Sequence, residues 1–169
     1  IEAVLLSVLA ILIYIWFRFE WQFGIGAVIA LTHDVLTTIG LFSILQLDFN
    51  LATVAAILTI AGYSINDTVV IYDRVRENMR KYKKMELAEL FNLSINQTLS
   101  RTMMTSVTTL LALVALYFLG GEVIRNFSIA LIWGVVIGTY SSIALAVPFL
   151  LYMRPNRGGD EEENMPDFN

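Results

Sequence analysis

The chain has 169 residues, 57% of them hydrophobic and only 15% charged, with a formal net charge of -4. Soluble domains average about 25% charged residues, so an ordinary soluble enzyme is excluded and a lipid bilayer is the solvent this composition fits. Cysteine is absent and histidine occurs once, which excludes a disulfide framework, a thiolate metal site and a histidine-built metal centre. No metal or cofactor is expected, and the few basic residues give no nucleic-acid footprint.

A membrane-spanning helix needs about 20 mostly apolar residues. In chain order the predicted spans are residues 1–17, 23–45, 51–72, 99–119 and 127–153. The expected fold class is an all-α membrane protein, with a transmembrane helical domain over residues 1–153. The links 18–22, 46–50 and 120–126 are short and polar, which makes neighbouring spans antiparallel. Residues 73–98 form a longer, charged loop with helical spacing, predicted as one or two amphipathic helices lying on the membrane surface. Residues 154–169 carry Pro155, Gly158, Gly159 and an acidic run, and read as a disordered tail.

Of the 11 basic residues, all but Arg125 fall on one side if residues 18–22, the 73–98 loop with Arg101, and the tail share that side. The positive-inside rule makes that side cytoplasmic. Ile1 is then extracytoplasmic. The run that it opens lacks the basic flank and cleavage site of a signal peptide, so the chain is expected to be the C-terminal part of a longer protein.

Ionisable side chains at membrane depth cost about 2.5–3.5 kcal/mol on insertion scales and usually serve a function. Asp34 stands midway along the second span, beside His33, and the two are candidates for a polar relay. In the third span Thr59, Tyr63, Asn66 and Asp67 are spaced as one helical face. The fourth opens with Thr98, Arg101, Thr102, Thr105 and Thr109, and the long Arg101 side chain is expected to reach inward to the depth of Asp67. Such threonines also commonly bond only to their own helix backbone. In the last span Ala130, Gly134, Gly138, Ser142 and Ala146 recur every fourth residue, a small-residue series suited to close helix packing.

These segments resemble the SecF family, bacterial protein-export membrane subunits that work with SecD and belong to the resistance-nodulation-division superfamily. The matching runs are FRFEW at 17–21, ALTHDV at 30–35, GYSINDTVVIYDRVREN at 62–78, LSINQTLSRTMMTS at 93–106, the pair Gly120–Gly121, and GVVIGTYSSI at 134–143. The resemblance implies six spans with a periplasmic domain after the first, of which five spans are visible here. It implies a proton pathway through Asp67 and Arg101, with Asn66 beside them, and a further carboxylate on the SecD-like partner. It also implies a bacterial inner-membrane location, a SecYEG-type channel as a second partner, and an exported unfolded polypeptide handled by the periplasmic domain.

Arginine stays charged, so Asp67 is the group able to carry a proton. Moving Arg101 toward or away from it changes how readily the carboxyl takes one. A membrane potential supplies about 2.3 kcal/mol per elementary charge per 100 mV, enough to bias a two-state helix interface. An intramembrane aspartyl protease is opposed by the lack of a GxGD motif, and the sole YD, at Tyr72–Asp73, includes neither Asp34 nor Asp67. The remaining alternatives are a proton-coupled exporter of the same superfamily and a passive scaffold for a partner subunit.

Overall fold

The computed structural model describes residues 2–153 and 155. Its elements are helices α1 (Glu2–Arg18), α2 (Trp21–Ile44), α3 (Leu51–Lys81), α4 (Leu87–Leu119) and α5 (Glu122–Ser141), a π-helical turn (Ser142–Ala146) and α6 (Val147–Met153). The last three run on as one rod, so four helical stretches are long and apolar enough to cross a membrane: α2, α3, α4 and Glu122–Met153. Helix α1 adds 17 residues, about 25 Å at 1.5 Å per residue. The protein is an all-α membrane protein. The acidic tail beyond Pro155, and Arg154, lie outside the described residues.

Helices α3, α4 and α5 pack on one another at the centre, α2 lies against α3 and α5, and α1 leans on α2 and α3. The interior is layered along the bundle. One apolar cluster gathers Phe19, Phe23, Tyr72, Val75, Leu90 and Leu150 near the end that carries the basic residues. Another gathers Phe42, Ala56, Ile60, Leu113, Ala130 and Val135 toward the opposite end. Between them, at residues 34–38, 64–68, 98–106 and 138–142, the buried side chains are polar. The outward faces hold large apolar groups such as Leu36, Met104, Leu111 and Phe118, as lipid contact requires.

Local chemistry fixes the helix ends. Helix α2 closes in a Schellman turn: Gln46 takes φ 51°, and the Leu47 and Gln46 amides donate to the carbonyls of Phe42 and Ser43. Asn50 then caps α3, its side chain accepting from the Thr53 amide while the Thr53 hydroxyl accepts from the Asn50 amide. Gly121, at φ 77°, turns the chain into α5, a conformation that favours glycine.

The 73–98 segment is helical, but it is not a separate surface element. Helix α3 continues to Lys81 and α4 starts at Leu87, so only residues 82–86 interrupt the helices. At 31 and 33 residues these helices measure roughly 46 and 50 Å, well beyond a bilayer core of about 30 Å. The apolar stripe that resembled a lipid-facing surface is the interface of this projecting hairpin. Val75, Asn78 and Met79 are buried with Leu90, Phe91 and Ser94, and the Asn78 amide donates to Ser94 Oγ at 2.8 Å and to Gln97 Oε1 at 3.0 Å.

The π-helical turn stands just before Pro148, whose missing N–H and bulky ring disrupt a regular helix ladder. Tyr72, fully buried, donates its hydroxyl to the Ala146 carbonyl at 2.9 Å. Tyr72→Phe leaves that carbonyl without this donor and should cost about 0.5–1.5 kcal/mol, measured as a lowered unfolding midpoint of the full-length protein in detergent.

Candidate functional site

The polar layer is organised by the contact of α3 with the α5 rod. Gly134 faces Ile60 so closely that a methyl group there would collide with three of its side-chain carbons, and Gly138 faces Ser64. One turn further Thr68 Oγ1 donates to Ser142 Oγ at 3.2 Å, and after that Tyr72 meets Ala146. The partners keep a constant offset of 74 residues. A constant difference in number means that the helices run parallel, with matching four-residue rows in contact. Ala130, Gly134, Gly138, Ser142 and Ala146 are all buried. They form the strip on which α3 rests, which places Ser64 and Thr68 against α5 with Asp67 on the next row.

Asp34 is wholly buried at the junction of three helices. Its Oδ2 accepts from Ser64 Oγ of α3 at 2.5 Å and from Ser141 Oγ of α5 at 2.7 Å. Its Oδ1 lies 3.0 Å from His33 Nδ1, and the His33 side chain is 33% exposed on the outer flank of α2. The Thr37 and Thr38 hydroxyls donate to the Asp34 backbone carbonyl, so these two threonines serve their own helix. Asp34 is a carboxylate met by hydroxyls from two other helices.

Asp67 is surrounded differently. It is 4% exposed, and its Oδ2 is buried without a hydrogen-bond partner. On α4 the Thr102 hydroxyl is likewise buried and unpartnered, as is the Tyr63 hydroxyl on α3. Further along, Ser106 and Thr139 join α4 to α5 at 2.6 Å. An acceptor with no donor in a buried, polar layer is a group whose satisfaction must come from a proton, a water or a partner surface.

The polar face expected on α3 is split in the structure. Thr59 and Asn66 are exposed, whereas Asp67 is buried. Adjacent residues on a helix lie about 100° apart, so Asn66 and Asp67 point to different surroundings despite being neighbours in sequence. The buried polar row of α3 is Ser64, Asp67 and Thr68. Arg101 is exposed. Its side chain lies within electrostatic reach of Asp67, but the ion pairs among the described residues do not include that pair. Thr105 bonds to the Arg101 and Thr102 carbonyls, again within its own helix. Among the described residues no cluster of metal-ligating side chains occurs.

Ser64 and Ser141, the hydroxyls on Asp34, are not evident from the sequence reading. Ser141 stands one residue off the small-residue series and looks like filler. Ser64 lies three and four residues before Asp67 and Thr68, and that i, i+3, i+4 spacing was the signal available for the buried row.

Residues 1–156 match the family described as Protein export membrane protein SecD/SecF, C-terminal. A Protein translocase subunit SecF from Rhodobacter capsulatus is 55% identical over 166 residues, which cover 98% of this chain and 50% of the relative. One from Rickettsia bellii is 61% identical over 148 residues, covering 88% of this chain and 49% of the relative. A solved structure described as SecDF in Super-membrane-facing form superposes with a TM-score of 0.81 at 48% identity, over 91% of this chain and 21% of that one. The chain thus spans about half the length of the relatives it matches.

Proposed function

Because this chain belongs to the SecD/SecF family of protein export membrane proteins, in its C-terminal region, we propose that it is the membrane part of an accessory subunit that couples proton movement to protein export. Asp67 is the proton carrier in this reading, Arg101 the fixed charge that tunes it, and Asn66 a polar neighbour on the outer face. The observation that carries the reading is the buried Asp67 carboxylate oxygen with no hydrogen-bond partner. A carboxyl held rigidly by donors has little to gain from a proton, whereas an unmet one changes its interactions when it takes or loses one.

Asn66 on α3 and Arg101 on α4 are both exposed, polar groups at membrane depth that a partner helix bundle would cover. A SecD-like subunit, related about a pseudo-two-fold axis along the membrane normal, is the partner that parallel-repeat transporters suggest. The export channel, of SecYEG type, and the unfolded polypeptide are engaged by parts of the complex outside this chain. The scaffold alternative gives Asp67 only a packing role. The deciding test is proton flux measured together with export, in sealed vesicles that hold the full-length protein and its partner.

The orientation follows from charge. The projecting α3–α4 hairpin carries Arg80, Lys81, Lys83 and Lys84, and the opposite end carries Arg125. The hairpin and the C-terminus are therefore assigned to the cytoplasm of the bacterial inner membrane. Single cysteines at Lys83 and at Glu122 should react with an impermeant thiol reagent from opposite sides of sealed vesicles. Reaction of both from one side reverses or breaks the topology.

A further inference from the structure

The last turn of α1 forms a wall of two adjoining cavities that the proton pathway does not use. One, of about 620 Å³, is an apolar groove between α1 and α2 lined by Trp16, Phe19, Trp21, Ile25, Val28 and Ile29. It follows α2 from Trp21 to Ile29, about 12 Å along the helix axis. Trp16 and Trp21 at its mouth are 78% and 61% exposed, the placing of tryptophan at a membrane–water boundary. The other, of about 580 Å³, is lined by Arg18, Asp73, Arg76, Glu77, Arg80 and Lys81. Arg18 of this cavity and Phe19 of the groove are consecutive residues.

The charges of the second cavity do not cancel. Asp73 is paired with Arg18, and Glu77 with Arg74. Arg76 has Glu20 at 3.7 Å, outside the cavity lining, and sits over the Phe23 ring. Arg80 and Lys81 have no carboxylate among the described residues, Lys81 resting only on the Tyr82 ring. Two cations without a carboxylate thus line the cavity that begins at the Arg18–Asp73 pair and rises along α3, and that pair adjoins an apolar groove.

We infer that this end of α1 is a binding site for an anionic phospholipid, its phosphate held by Arg80 and Lys81 and one acyl chain laid in the Trp16–Ile29 groove. A zwitterionic lipid offers the same chain but brings its own cation to the cavity. A soluble phosphate offers the charge without the chain. Basic cavities at the cytoplasmic edge of helix bundles commonly recognise anionic headgroups in this way, with about 1 kcal/mol per basic side chain. The site stands apart from Asp67, so it holds or falls independently of the proton-carrier reading.

The test is native mass spectrometry of the delipidated full-length protein, titrated with phosphatidylglycerol, with phosphatidylcholine of identical chains, and with glycerol phosphate. Phosphatidylglycerol should bind tighter than phosphatidylcholine by about tenfold or more. Arg80→Gln with Lys81→Gln removes two exposed charges and, of packing, only the Lys81–Tyr82 ring contact, and should weaken phosphatidylglycerol about thirtyfold. Val28→Trp, which fills the groove, should weaken the long-chain lipid while sparing a six-carbon analogue. Equal binding of the two lipids overturns the assignment. So does glycerol phosphate binding as tightly as the lipid, which marks a site for soluble polyanions. Long-chain binding unchanged by Val28→Trp also overturns it, since the groove is then filled by another helix of the assembly.

Discussion

Asp67→Asn should yield a protein that inserts, assembles with its partner and passes no protons. The substitution keeps the size and shape of the side chain and replaces the titratable carboxyl by a neutral amide, which can neither take up nor release a proton. The structure sharpens the stability side of this result. Breaking a buried ion pair costs about 3–5 kcal/mol, but Asp67 makes no direct ion pair with Arg101 among the described residues, and its Oδ2 has no hydrogen-bond donor. Little of the fold therefore hangs on its charge, and the unfolding midpoint of Asp67→Asn should stay close to that of the parent. Flux in reconstituted vesicles should fall to the level of vesicles without the complex, and gradient-driven export should fall with it. Arg101→Lys keeps a positive charge but loses the planar guanidinium, and should retain part of the flux. Parental flux through an assembled Asp67→Asn complex rejects the proton-carrier reading and leaves the scaffold. A collapse of assembly in place of flux does the same, because it makes the carboxylate a structural partner.

Much of the helix layout is legible in the chain because the bilayer enforces it. Apolar runs of span length separated by short polar links have few arrangements, and α2, the start of α3 and the end of α4 fall close to their expected limits, while α3 and α4 continue past theirs into the 73–98 stretch. The small-residue series is legible for a similar reason: a four-residue row of Ala, Gly and Ser has no other economical use than close helix contact. Its counterpart on α3 is not, because Ile60, Ser64, Thr68 and Tyr72 share no residue type, and only the three-dimensional register reveals them as a row. The charged 73–98 stretch reads as surface helices on good physical grounds, although it forms the α3–α4 hairpin. An amphipathic stripe records that one face is buried and says nothing of whether lipid or a neighbouring helix buries it. The site divides in the same way. The two carboxylates stand out from sequence by their cost in lipid, whereas the difference between them depends on which hydroxyls other helices deliver. Asp34 receives Ser64 and Ser141, and Asp67 receives no donor at Oδ2.

Gly134→Ala should be among the most destabilising single-methyl changes available to this bundle, although alanine has the better intrinsic helix propensity by roughly 1 kcal/mol. The new Cβ would meet the Cγ1, Cγ2 and Cδ1 atoms of Ile60. Ile60 is itself 1% exposed and belongs to the buried cluster of Phe42, Leu113 and Leu131, so a shift of its side chain must displace close-packed neighbours. Overpacking of this kind costs about 1–3 kcal/mol. The strain falls on the parallel α3–α5 contact, and to relieve it the helices must separate where Gly138 meets Ser64, one turn further along. Ser64 is a ligand of Asp34, so the separation is transmitted to the polar layer. The prediction is a cycle rather than a single value. Ile60→Ala removes all three of these Ile60 carbons and alone should cost about 2–5 kcal/mol, yet in the Gly134→Ala background it should cost much less, because it vacates the space the new methyl needs. A favourable coupling of about 1 kcal/mol or more between the two sites, read from thermal or denaturant unfolding of the full-length protein, is the expected outcome. Simple additivity would mean that α3 and α5 do not meet at this register, and with it the placing of Ser64 and Ser141 on Asp34 would have to be redrawn.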